Sequence, residues 1–321
     1  MSNWLLLSKQ IERLLKQKEM LREEIIDDVV ENAKVVLATN SMVLSDFLKT
    51  KWFDVAIIDE WSQASLPSAL LPIIAADRFV IAGDHRQLPP TVLSPKADGL
   101  KQSLFEYLIE SMDNWAFTKD AYEMLRIQYR MNEILMGFPS SKFYGGLLEA
   151  APEVKNIKLT DLVWKKKGNI IHSDDVILRL DVKGNQVLEK QTKSLMNFEE
   201  IEVIKNLIDE LLKMGIKARD IGIITPYSAQ KNKLKVAFEN IGELDINTID
   251  GFQGREKEVI IISWVRTQWE WFLIDPRRFN VAITRAKRLL ANIGNVNNLL
   301  SIEMFKEYIN YIKSTGKFAF L

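Results

Sequence analysis

The chain has 321 residues, 47% of them hydrophobic, and 43 basic side chains balance 43 acidic ones. Roughly 100–200 residues per domain suggests two domains, and zero net charge leaves any nucleic-acid binding to a local surface. The lack of cysteine excludes disulfides, cysteine-ligated zinc and a cysteine nucleophile, and His85 and His172 are too few for a histidine-rich metal site.

Residues 5–32 are predicted as one or two helices. Ile11, Leu14, Leu15, Leu21 and Ile25 recur at helical spacing among Lys and Glu, which predicts a solvated helix packed by one stripe. No apolar run reaches the ~20 residues of a bilayer span, and the start does not read as a signal peptide, so a cytoplasmic location is expected. Short apolar runs then alternate with helical stretches: "KVVLA", "VAIID", "FVIAGD", "VILRLD", "IGIITP", "VIIISW" and "LLANIGN". They are continuously apolar rather than alternating, as in strands buried on both faces of a parallel sheet. Glu199–Met214 is long enough for a crossover helix. Two α/β units are expected, with candidate breaks at Asn114–Lys119 and in the polar, lysine-rich Ala150–Lys167.

Several runs end in polar residues, and in open α/β sheets ligands bind beyond the carboxyl ends of strands. Asp59-Glu60 closes one such run. A hydrophobic strand followed by Asp-Glu is the Walker B arrangement, in which one carboxylate holds Mg²⁺ and its neighbour orients or deprotonates water. A solvated strand end fits the same two residues. In "AGDHRQLPPT", Gly83 allows a tight turn, Gln87 offers an amide to a phosphate or water, and Pro89-Pro90 stiffens the exit; an ordinary turn also fits. In "LRIQYRMNEILMGFPSSKFYGG", Tyr129 offers a stacking ring beside Arg130, whose guanidinium suits phosphate; the pair also fits an ordinary surface.

In "INTIDGFQGREKEVIIISWVRT", Gly251 and Gly254 permit close backbone approach beside Gln253, Arg255 and Glu256. In "FLIDPRRFNVAITRAKRLL", Arg277, Arg278, Arg285, Lys287 and Arg288 crowd together. On a helix, Asn280, Thr284 and Arg288 would share a face. Arg285 lies among small apolar neighbours, which predicts that it points inward at something anionic.

Taken together and in this order, the strings closely resemble superfamily 1B helicases of the nonsense-mediated-decay and immunoglobulin-mu-binding group. "DEWSQA" is similar to motif II, "GDHRQLPPT" to motif III and "QYRMNE…FPSSKFYGG" to motif IV. "NTIDGFQGREKEVIIIS" is similar to motif V and "DPRRFNVAITRAK" to motif VI. The resemblance runs from about Lys34 to Asn295. It implies an α/β protein with two RecA-like domains of parallel sheets that clamp ATP and Mg²⁺ and move 5′ to 3′ on single-stranded DNA or RNA.

The resemblance implies a role for each matching residue. Asp59 organises the metal and Glu60 is the hydrolytic base. Gln87 reports the γ-phosphate, Tyr129 stacks on adenine, and Arg130 and Arg285 are arginine fingers. Gly254 and Glu256 contact the nucleotide, and Glu200, in "NFEEI", touches the ribose. Thr39, Thr225, Pro226, Tyr227 and Thr248 grip the nucleic-acid backbone. Trp61, Asn132 and Ile201 depart from the family pattern, Trp61 bearing on local packing.

The phosphate loop Gly-x-x-x-x-Gly-Lys-Ser/Thr does not occur in the sequence. The one Gly-Lys pair, Gly316-Lys317, precedes Phe318 and has Tyr311 where the first glycine belongs. The expectation is a chain that begins inside the family's helical insert. Residues 1–34 would be that insert's remnant, 35–119 a first domain incomplete at its N-terminus, and 120–321 a second domain. Three readings remain open: a subunit completed by a separate polypeptide carrying the loop, the remnant or mis-started product of a longer helicase, or a non-enzymatic nucleic-acid-binding or regulatory module.

Overall fold

In the computed structural model, which describes residues 2–92, 94–100, 104–111, 122–267 and 275–320, the chain divides into two units. The first holds the described residues up to His85 and from 89 to 111. The second holds Arg86–Leu88 and the described residues from 122 onward. The candidate break at Asn114–Lys119 lies outside the described residues, and residues 150–167 sit inside the second unit.

The first unit opens on helix α1 (Ser2–Asn32) and contains strand β1 (Phe53–Ile58), helix α2 (Leu66–Ile73), strand β2 (Ala76–Ile81) and helix α3 (Leu104–Ser111). β1 and β2 pair in parallel, Val55 opposite Arg78 and Ile58 opposite Ile81. Trp61, fully buried, forms a small core with Ile58 and Ala69, against which Ile81 and Leu104 pack.

Two expectations change here. The α1 stripe is solvent-facing, with Leu14 and Ile25 each 63% exposed, so it is not packed. "KVVLA" is not a strand, because its backbone groups find no neighbouring ladder among the described residues and Leu37 stands exposed.

The second unit begins with β3 (Ile127–Gln128), α4 (Glu133–Phe143), β4 (Glu149–Ala150) and α5 (Pro152–Lys155). Next come β5 (Ile177–Asp181), β6 (Val187–Glu189), β7 (Ser194–Met196), α6 (Phe198–Met214), β8 (Ile221–Thr225) and α7 (Ser228–Ala237). It closes with β9 (Asp245–Thr248), β10 (Lys257–Ser263), α8 (Pro276–Ile283), β11 (Ala286–Gly294), α9 (Val296–Leu299), α10 (Glu303–Thr315) and β12 (Lys317–Phe320). A six-stranded sheet runs in the order β12-β5-β11-β10-β8-β9, with every pairing parallel.

The continuous apolar runs have the expected cause. Alternate residues of one strand enter different cores: Ile260 and Ile262 join Phe138, Phe279 and Phe305, whereas Val259 and Ile261 join Ile204, Leu207 and Leu211 of α6. With helices on both faces, this is the α/β architecture implied for a RecA-like domain. α6 matches the expected crossover helix. Asn197 caps its start by accepting from Glu200 N, and Gly215 ends it at φ 114°, a conformation that favours glycine.

The parallel register gathers the carboxyl ends of the strands on one edge. Thr225 lies opposite Thr248, Ser263 opposite Ile293, and Gly294 opposite Asp181. One reading of helical spacing fails: α8 stops at Ile283, and Lys287 and Arg288 lie on β11, so Asn280 and Arg288 do not share a helix face.

Candidate active site

In the first unit, Asp59 and Glu60 follow the carboxyl end of β1 and are both exposed. Asp59 Oδ1 accepts the Glu60 N–H at 2.8 Å, and Glu60 Oε2 accepts from Gln63 Nε2 at 2.7 Å. Glu60 adopts φ 51°, ψ 34°, a left-handed conformation that costs a non-glycine residue ~1–2 kcal/mol. Its neighbour secures the turn, since Trp61 donates its N–H to Ala82 O at 3.2 Å and buries its ring completely. The departure at Trp61 thus anchors the acidic turn. Thr39, in the same unit, is exposed just ahead of a short turn of 3₁₀ helix, its Oγ1 3.4 Å from Ser41 Oγ.

The second unit brings two arginines onto one threonine. Arg130 Nη1 donates to Thr284 O at 3.2 Å, and Arg285 Nη2 donates to Thr284 Oγ1 at 3.0 Å. Arg285 is 1% exposed, and its guanidinium also donates to Val281 O at 3.0 Å and Gln87 Oε1 at 3.2 Å. It points inward, as its small neighbours predicted, but these acceptors are neutral. Arg86–Leu88 are held to this unit, with Leu88 in its core and Arg86 O accepting from Asn280 Nδ2 at 2.9 Å.

Arg130 is oriented from two sides. Its Nε meets Glu256 Oε2 at 2.5 Å, while Lys287 Nζ holds Glu256 Oε1 at 2.8 Å. Burial works to raise the Glu256 pKa, but hydrogen bonds from Lys287 and Arg130 outweigh it and hold the carboxyl below its ordinary value. Gln128, which the sequence reading passed over, fixes the backbone of the same turn. Its Oε1 accepts the N–H groups of Arg130 and Met131 at 2.8 and 2.9 Å, and its Nε2 donates to Met131 O at 2.7 Å. A glutamine directly before Tyr129-Arg130 was the available signal. Tyr129 leaves 69% of its surface open, and Gly254, at φ 74°, is exposed with open space where a Cβ would stand.

At the carboxyl edge of the sheet, Thr225, Pro226 and Tyr227 lead from β8 into α7, and Thr248 closes β9 beside Thr225. Thr225 has no exposed surface and Tyr227 is 9% exposed. Thr248 Oγ1 accepts from Gly251 N at 3.3 Å. Glu200, expected at a ribose, also has no exposed surface; its carboxylate accepts from Ser263 Oγ at 2.5 Å and from Val265 N at 2.9 Å. The helical phase of α6 turns Glu200 toward the sheet with Ile204 and Leu207, which is why it lies inside.

Two family profiles, each described as an AAA domain, match residues 3–95 and 100–297, the second alone covering more than half of the chain. The chain belongs to the AAA-domain family of superfamily 1 helicases. An uncharacterised ATP-dependent helicase of Methanocaldococcus jannaschii is 42% identical over 320 residues, covering 98% of this superfamily 1 chain and 47% of that protein. The DNA-binding protein SMUBP-2 of Mesocricetus auratus is 35% identical over 96% of the chain and 32% of its own length. The DNA polymerase alpha-associated DNA helicase A of Schizosaccharomyces pombe is 34% identical over 96% of the chain and 47% of its own length. The superfamily 1 chain therefore spans less than half of each of these relatives.

In this superfamily 1 chain, no group of three or more His, Asp or Glu residues among the described residues is placed to hold a metal alone. An exposed carboxylate pair at a strand end still suits Mg²⁺, which keeps several waters and takes one or two carboxylates together with phosphate oxygens. No helix among the described residues is long and apolar enough to cross a membrane.

Proposed function

We propose that this chain is a portion of an ATP-dependent 5′ to 3′ helicase acting on single-stranded DNA or RNA, with a domain division near residues 119 and 120. The observation that carries the reading is the convergence of Arg130 and Arg285 on Thr284, beside Gln87, in a chain of this family. Two fixed guanidinium groups serve phosphoryl transfer, where charge must be stabilised in place and little covalent help is needed. The names of the relatives from Mesocricetus auratus and Schizosaccharomyces pombe, a DNA-binding protein and a DNA helicase, support a nucleic-acid partner.

Bound ATP and Mg²⁺ would supply the phosphoryl group and offset its charge. Asp59 would hold the metal, and Glu60, exposed and oriented by Gln63, would take the proton of the attacking water. Glu256 and Lys287 set the direction of the Arg130 guanidinium, and Tyr129 presents an open ring for adenine. Thr39, Tyr227 and Thr248 are assigned to the nucleic-acid backbone, with Thr225 and Pro226, both buried, supporting that strand end from within.

Residues 1–321 contain no phosphate loop, so the reading includes a dependence: a segment carrying Gly-x-x-x-x-Gly-Lys-Ser/Thr must supply the backbone cradle and lysine. Phosphate release from the purified chain, with saturating single-stranded DNA or RNA, is the test. Negligible turnover is expected. Robust turnover abolished by Glu60→Gln would overturn the dependence.

A further inference from the structure

Val265 is the one residue of the β10 exit that breaks the rules of its type. It is β-branched, fully buried and held at φ 69°. The Arg266 N–H donates to Trp264 O at 2.8 Å across it, closing a three-residue γ-turn of the rare positive-φ kind. Such backbone persists only where the surroundings over-determine it.

The surroundings here are polar and wholly inside the protein. Both oxygens of Glu200 accept the Val265 N–H, at 2.9 and 3.0 Å, and Asn197 Nδ2 donates to Val265 O at 3.3 Å. Glu200 Oε2 also accepts from Ser263 Oγ at 2.5 Å, and Ser263 Oγ in turn accepts from Gln230 Nε2 at 2.9 Å. Gln230 belongs to α7, and it also brackets Asn197 by accepting from its N–H and donating to its carbonyl. Gly294 packs against the same place, where an added Cβ would lie 3.2 Å from Trp264 Cβ and 3.4 Å from Glu200 Oε1. The turn leads directly to Arg266, which is 6% exposed, donates its Nε–H to the Tyr227 hydroxyl and lies 5.2 Å from the centre of the Tyr227 ring.

We propose that Glu200 is a positioning residue for single-strand binding: its carboxylate clamps the strained Val265 turn, which sets Arg266 against Tyr227. The inference rests on reading Thr225–Tyr227 as the end that grips the nucleic-acid backbone. It replaces a nucleotide contact for Glu200 with an action through three residues, Val265, Arg266 and Tyr227.

The test is fluorescence anisotropy of labelled oligothymidylate and oligouridylate with the full chain and six variants. Glu200→Ala is expected to weaken binding about ten-fold, the worth of one well-placed hydrogen bond, whereas Glu200→Gln, which keeps an acceptor for Val265 N–H, stays within about two-fold. Arg266→Ala should match Glu200→Ala, and combining the two should add nothing. Glu200→Ala with Val265→Gly should recover affinity, because glycine adopts positive φ without a clamp. Should Glu200→Ala alone fail to fold, this pair and Arg266→Ala still decide. Weakening by Tyr227→Ala with no effect of Arg266→Ala, or no recovery in the glycine background, would overturn the clamp. Indifference to Tyr227→Ala would instead place the fault in the reading of that end.

Discussion

Glu200 makes the stability of the second unit depend on pH in a direction opposite to that of most carboxylates. Burial pushes its pKa up from 4.5 to about 7, opposed by the hydrogen bonds from Ser263 and Val265 and by the charge of Arg179, with Glu199 adding to the rise. Below the unfolded value both states hold the proton. As pH rises from there, the unfolded chain releases its proton first while the native protein retains it. The contribution of Glu200 is therefore fully present below about pH 4.5 and is lost as pH rises through about 7. That separation corresponds to on the order of 3 kcal/mol. Glu200→Gln resembles the protonated acid, accepting from Val265 and donating to Ser263, yet does not titrate.

Urea unfolding followed by circular dichroism, at intervals from pH 4.5 to 8, measures the difference. Wild type should lose on the order of 3 kcal/mol relative to Glu200→Gln across that window and then level off. Parallel stability curves for the two proteins would refute the reasoning and show that Glu200 is not the buried acid described here.

Three further outcomes follow from particular contacts. Trp61→Ala removes the largest side chain of the first unit's core and should cost about 3–5 kcal/mol, enough to release the Asp59-Glu60 turn, read as the loss of slow hydrogen exchange at β1. The α1 helix exposes its apolar stripe and should exchange far faster than β10; equal protection would contradict its solvated position. Single-strand affinity should fall with salt at a slope of about 0.7 per phosphate contact, with a small slope because the proposed contact residues are mostly uncharged. Salt-independent binding, or preference for duplex, would count against that surface.

The second unit was legible because its strands are buried on both faces, which writes continuous apolar runs directly into the sequence. Asn197 and Gly215 likewise mark the ends of α6 by the chemistry that ends helices. "KVVLA" has the same look as the true strands, yet a strand exists only with a ladder partner, and residue type says nothing about whether one is present. The Asn280–Thr284–Arg288 face failed for a local reason: α8 stops at Ile283 and the chain passes into β11. At the site, the inward aim of Arg285 was visible in its small neighbours. The meeting of Arg130 and Arg285 at Thr284, with Gln87 on the Arg285 guanidinium, depends on tertiary structure that no spacing reveals. The burial of Glu200 was hidden because "NFEEI" offers two adjacent carboxylates, and only the phase of α6 against the sheet decides which one turns inside.

The central claim is that the arginine cluster serves a phosphoryl transfer that also needs a phosphate loop absent from residues 1–321. Its most direct test is nucleic-acid-stimulated phosphate release from this chain co-expressed with the loop-bearing N-terminal part of a related helicase. Turnover is expected only in the pair. Arg130→Ala and Arg285→Ala should each reduce it at least about a hundredfold, a floor set below the ~10³–10⁵ carried by arginine fingers, while single-strand affinity stays within a few-fold. An active pair indifferent to both substitutions would contradict the account.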